Sequence, residues 1–236
     1  MASQVFEVLG HAEIEIKTRS GQIMVIAESR DDVLLERGAD VDVERGDAGR
    51  LVFRPQRANQ KVQIRCPIGS DLLAATESAA IELRGQLGRV WASTASGGVR
   101  IDQAESVSVR TRSGRIEIGE VQGNADIATE SGKTDLGSAG GVNVRSTSGR
   151  VTLRGMRGPV RVRSVKGRIR VEMLTGDDVS VKSISGAVEV KYPATVRPST
   201  QCRSLSGRAA VETEEGEDCR CEVQTVSGKV KVASSR

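Results

Sequence analysis

One short phrase returns throughout the chain: Ser-Gly, then an apolar residue, any residue and a second apolar residue. Its clearest copy is Arg112-Ser113-Gly114-Arg115-Ile116-Glu117-Ile118. It recurs at Gly97, Gly114, Gly132, Gly149, Gly167, Gly186, Gly207 and Gly228, in steps of 17, 18, 17, 18, 19, 21 and 21 residues. A weaker copy places Ala79 in the glycine slot, and an outlying copy, Ser20-Gly21-Gln22-Ile23-Met24-Val25, stands near the N-terminus. Self-similarity at such a period marks stacked repeats, each a supersecondary unit that buries its apolar side only against its neighbours.

With each glycine numbered zero, positions +2 and +4 are apolar in nearly every copy, as in Val151/Leu153 and Val230/Val232. A second apolar pair occupies −7 and −5, as in Val160/Val162 and Val179/Val181. Period two is the pattern of half-buried strands, so each repeat holds two strands with corners between them. Position −3 is always Ser or Thr and shares the parity of the apolar pair. It is expected to point inward, its hydroxyl bonding a neighbouring hydroxyl or the turn backbone. Aromatic residues make up only 2% of the chain (Phe6, Phe53, Trp91 and Tyr192), which suits thin rungs filled by small and β-branched side chains. The expected architecture is an all-β solenoid of about nine rungs of 17–21 residues over 67–236. An N-terminal β region over 1–66, less regular in spacing, is expected to cap its first rung, since a solenoid end otherwise exposes strand edges.

Familiar catalytic constellations are missing. The only histidine is His11, which excludes Ser-His-Asp, Cys-His and His-rich metal arrangements. Cys202 and Cys221 occupy apolar slots (−5 and −7), where cysteine acts as a small hydrophobe. Cys219-x-Cys221 lacks the spacing of a redox or zinc pair. Asp31-Asp32 and Asp177-Asp178 are adjacent in sequence and so point to opposite faces of a strand, poorly placed as an acid/base pair. No cofactor is expected.

The outward positions are more telling. Equal positions of stacked rungs form columns about 4.8 Å apart. Position −4 carries Arg110, Arg145, Arg163, Lys182 and Arg203, and position +1 includes Arg150 and Arg168. These basic columns fit either a solubilising face or a site for an anionic polymer or anionic membrane surface. Scarce aromatics argue against single-stranded nucleic acid, and sequence-specific recognition of nucleic acid is not expected. Position −2 is polar in early rungs and apolar in later ones: Val165, Ile184, Leu205 and Val226. Strict alternation puts these four outside, as an exposed partner stripe. A change of bend at the corner would turn them inward. Acidic residues gather in 28–47, including Asp47, and in 212–222.

The phrase Cys66-Pro67-Ile68-Gly69-Ser70-Asp71-Leu72, then Thr76-Glu77-Ser78, then the serial Ser-Gly rungs, resembles the DUF4097 family of bacterial β-strand-repeat proteins, often labelled adhesins. The resemblance covers essentially the whole chain and implies a β-solenoid. It implies little biochemistry, because the adhesin label is itself an analogy from fold.

The reading that results is a non-enzymatic scaffold or binding module, adhesin-like, working through an extended β surface with a protein partner or by self-association. One alternative is a structural polymer assembled end to end, as in the separate bactofilin family. Others are a polyanion-binding module and a polysaccharide-cleaving β-helix enzyme, the last opposed by the shortage of aromatics to line a sugar groove. The N-terminal residues carry charges throughout and no apolar leader, and no stretch approaches a membrane span. With four cysteines and no disulfide framework, the expected setting is the cytoplasm, with association at the envelope as an open variant.

Overall fold

A computed structural model describes residues 3–8, 10–38, 40–46 and 49–234; Asp47 lies outside them. Among the described residues the repeating elements are all strands, with no α-helix. The chain divides into two compact units, one up to Val121 and one from Gln122. The change from cap to regular repeat expected at residues 66–67 falls inside the first unit.

In the first unit, β2 (Glu13–Thr18) and β3 (Gly21–Glu28) form one bent rung. β2 is flanked by β6 (Arg50–Pro55) and β8 (Asp71–Thr76), and β3 by β7 (Gln60–Pro67) and β9 (Ala80–Thr94). All four ladders are parallel, pairing Ile14 with Leu51 and Leu72, and Ile23 with Val62 and Ile81. These side chains are almost wholly buried, because in-register period-two strands bring like apolar residues into contact. The strands that cover this array are antiparallel. β4 (Asp32–Arg37) lies on β7, β5 (Val41–Arg45) on β6, and β1 (Gln4–Glu7) on β4. Phe6 and Phe53 meet edge to face, centroids 5.9 Å apart, an arrangement that rings prefer. The unit continues through β9 into the first part of β10 (Val99–Met156), which pairs with β9 in parallel.

The second unit contains the rest of β10, then β11 (Val160–Met173), β12 (Val179–Tyr192), β13 (Pro198–Ser206), β14 (Ala209–Glu212) and β15 (Cys219–Ser234). Its ladders are parallel and aligned glycine on glycine: Gly149 beside Gly167, Gly167 beside Gly186, and Gly186 beside Gly228. The spatial order is therefore not the chain order. β15 lies between β12 and the β13–β14 rung, so the Gly207 rung is outermost. The rungs therefore do not stack in the order in which they follow in sequence. This order corrects the inward assignment of Ala209 and Val211. Val211 is 42% exposed, whereas Val230 and Val232, the equivalent pair in β15, are buried.

The corners explain the repeating glycine. Gly167 has φ +145°, and a Cβ there would run into the carbonyl oxygen of Gly149 directly beneath it. Both constraints exclude a side chain. The −3 hydroxyls point inward as expected; Thr111, Thr129, Ser146, Ser164 and Ser183 are all buried. Their bonds are local. Each donates to the carbonyl two residues ahead in its own corner, Ser183 to Ser185 at 3.3 Å and Thr129 to Ser131 at 3.1 Å. Side-chain links between neighbouring rungs come from −1 serines, Ser148 donating to the Glu130 carbonyl at 3.3 Å and Ser185 to that of Val165 at 3.5 Å, and on the outer rung from the −3 Ser204, which donates to the Gly228 carbonyl at 3.5 Å.

Candidate binding surface

Strand alternation places −4 and −2 on the same outward face of the strand that enters each corner. In the second unit the ladders set Arg145 beside Arg163, Arg163 beside Lys182, Lys182 beside Gln224, and Gln224 beside Arg203. The four cations are exposed and have no ion-pair partner among the described residues. Basic groups elsewhere do pair: Arg65 reaches Glu36 at 2.7 Å and Arg170 reaches Glu189 at 2.8 Å. The Glu189 carboxyl lies below its ordinary range; burial opposes this, and it is overcome by the hydrogen bond and charge of Arg170, with Lys191 and Lys231 adding to them. Unpaired like charges side by side repel one another, so their column favours an anion from outside.

The apolar column runs alongside. Val165, Ile184, Leu205 and Val226 are 39%, 52%, 85% and 46% exposed. The corner does not turn them inward, and of the two orientations open from the sequence, strict alternation is the one observed. In space the order is Val165, Ile184, Val226, Leu205, since the ladders pair the residues on either side of each.

Two depressions share this face. One, of about 420 Å³, is lined by Arg163, Lys182 and Arg203 on one side and by Ile184, Leu205 and Val226 on the other. A second, of about 510 Å³, is lined by Arg145, Arg161 and Arg163 together with Asn124, Asp126 and Asn143. Here Asn143 donates to Asp126 at 2.8 Å. Arg163 belongs to both, so Arg145, Arg163 and Lys182 form one continuous row, and Gln224 separates Lys182 from Arg203. That interruption was not legible from the repeat pattern, because it follows from the position of β15.

Other candidates stand apart. Arg150 and Arg168 are ladder neighbours on the strand that leaves the corner, outside both depressions. Arg110 is exposed in the first unit. Trp91, 45% exposed with the Arg89 guanidinium 5.6 Å from its ring centroid, is an outward aromatic of that unit which the repeat pattern did not single out.

The residues with possible chemistry are occupied structurally. His11 Nδ1 lies 3.3 Å from the Ile68 carbonyl oxygen. Asp178 accepts the Arg220 backbone N–H, and Asp218 that of Arg197, both at 2.8 Å. Burial pushes the Cys66 thiol up to about 11 and that of Cys221 to about 12, away from the thiolate form a nucleophile needs. Among the described residues no group of three or more His, Cys, Asp or Glu could hold a metal ion. No helix among them is long and apolar enough to cross a membrane.

A family model described as Toastrack DUF4097 matches residues 9–236. No curated protein matches the chain. Remote likeness extends to several solved structures. A protein from Bacteroides fragilis named an adhesin shares 14% identity, with 98% of this chain and 96% of that one covered, at a TM-score of 0.39. One from Parabacteroides distasonis, also named an adhesin, shares 12% over 99% and 96%, at 0.35. One from Clostridium sporogenes, named a cell adhesion protein, shares 7% over 99% of each chain, at 0.31. Likeness this remote carries no functional inference.

Proposed function

The chain belongs to the Toastrack DUF4097 family, and from that premise we propose that it is a non-enzymatic, adhesin-like β-surface module, a β-solenoid whose outward face docks on an anionic lipid surface. The observation that carries this reading is the shared depression, in which Arg163, Lys182 and Arg203 face Ile184, Leu205 and Val226. A polyanion such as heparin or duplex DNA needs only the cations. A bilayer interface engages both columns, the cations at the headgroups and the apolar side chains at the acyl boundary. Each cation near an anionic leaflet contributes on the order of 1 kcal/mol. The three in this depression therefore supply on the order of 3 kcal/mol, short of docking by themselves, so the apolar column must contribute the remainder. The free cysteines, of which Cys66, Cys219 and Cys221 are buried, and the absence of disulfides among the described residues support a cytoplasmic setting, where the inner leaflet is the anionic one.

The test is flotation with vesicles of phosphatidylglycerol and phosphatidylcholine against vesicles of phosphatidylcholine alone, over a salt series. Binding that needs the anionic lipid, weakens with salt and is lost in Arg163→Glu/Lys182→Glu is the expected result. Equal binding to both vesicle types, or none to either, contradicts it. Retention by heparin without vesicle binding would identify a polyelectrolyte site instead.

A further inference from the structure

Because β15 is inserted beside β12, the second unit exposes a rung at its edge. β13 and β14 pair with β15 along one side, and among the described residues no strand pairs with the other. The slots that every inner rung buries are open here: Cys202 is half-buried, and Ala209 and Val211 are exposed. An unpaired strand edge with open apolar slots is a template for another strand.

Charge on this rung indicates what would fill it. Its first arm carries Arg197 and Arg203 and no acidic residue; its second carries Arg208 and then Glu212, Glu214, Glu215 and Glu217, of which Glu214 pairs with Arg197 of the same chain at 2.9 Å and Glu212 with Lys231 at 2.8 Å, leaving Glu215 and Glu217 to set the excess of negative charge. β13 runs toward the Ser206–Gly207 corner and β14 runs away from it. A two-fold axis through that corner therefore lays β13 of one copy antiparallel on β14 of the other, twice over. Each basic arm then faces an acidic one. We infer that the β13–β14 rung is an isologous interface at which two copies of this chain join, open rung against open rung.

Such an interface closes on itself, so it yields a dimer and not the filament that head-to-tail stacking would produce. The first unit offers no comparable open rung, since its parallel strands are covered by antiparallel β1, β4 and β5. Arg203 and Leu205 of this rung also line the depression described above, so the test uses Arg197, Val211 and Glu217, which do not.

The experiment is sedimentation of the whole chain across a wide concentration range. The expected species are monomer and dimer only. Val211→Lys places a charge on the open rung and is expected to raise the dimer dissociation constant by at least about tenfold without loss of β-sheet circular dichroism. With Glu214→Gln present throughout, so that Arg197 has no carboxylate partner at that position in its own chain, Glu217→Arg is expected to weaken the dimer, and adding Arg197→Glu to restore it. A monomer at every concentration, species that grow without limit, or a dimer indifferent to both Val211→Lys and the charge swap overturns the proposal. Should Val211→Lys unfold the chain, the charge-swap pair decides.

Discussion

At the Gly167 corner, a backbone at φ +145° and a carbonyl oxygen in the space a Cβ would fill act together. Gly167→Ala is therefore expected to cost at least about 2 kcal/mol, more than the ordinary helix or strand penalty for exchanging these residues, since the rung beneath must move. Urea denaturation measures it; a cost within about 0.5 kcal/mol, the range of an exposed surface change, would show that the corner is not close-packed. The thiols give a second expectation. Cys221 is fully buried and its pKa is pushed from 9.0 to about 12, chiefly by burial. A folded-state pKa above the unfolded one contributes stability that is intact below pH 9 and lost as pH rises toward 12. Tyr192 is displaced upward for the same principal reason, so it adds to the loss at higher pH. Melting temperature is expected to fall above pH 9 in the native chain and to fall less in Cys221→Val, which places in that slot the residue that β11 and β12 carry there. Equal alkaline sensitivity in the two proteins would remove Cys221 from the explanation.

At the scale of the element, the strands, their inward faces and their glycine-on-glycine register were legible, because period two and a fixed repeat leave little freedom. The order of the rungs was not. Val188/Val190 can stack equally well on Ala209/Val211 or on Val230/Val232, since each pair presents the same pattern at the same offset from its glycine. What distinguishes the two orders lies in the connections. Asp178 accepts the Arg220 N–H from β15, and Asp218 accepts the Arg197 N–H just before β13. Aspartate in a turn reads from sequence as a turn residue and carries no address. The same gap explains the candidate site. Both columns were visible as lists of residues, but the neighbours within each depend on where β15 inserts. The inserted order has a measurable consequence. Val223 is fully buried in β15 and Val211 is 42% exposed on the outer rung. Val223→Ala is expected to cost about 2 kcal/mol from lost burial and the remaining cavity, and Val211→Ala under about 0.5 kcal/mol. Chain-order stacking would place Val211 on an inner rung and Val223 on the outermost one, and so requires the opposite ranking.

For the molecule as a whole, the repeat separates stability from recognition. Inward slots, corner glycines and hydroxyls recur with little change, whereas −4 and −2 vary from rung to rung. In the second unit that variation sets unpaired cations beside exposed apolar side chains. An exposed apolar row is a liability for a chain that stays in water, and beside basic groups it fits the boundary of an anionic bilayer. The apolar row is also what distinguishes lipid docking from attraction to any polyanion, so its removal is the most direct measurement. Ile184→Asp/Leu205→Asp is compared with the native chain for flotation on phosphatidylglycerol-containing vesicles and for retention on heparin, with circular dichroism of both proteins. The expected result is an intact β fold and loss of vesicle binding that exceeds any loss on heparin. Vesicle and heparin binding reduced in equal proportion in the folded variant, as two added carboxylates beside the cations would do by charge alone, would contradict a lipid-docking face.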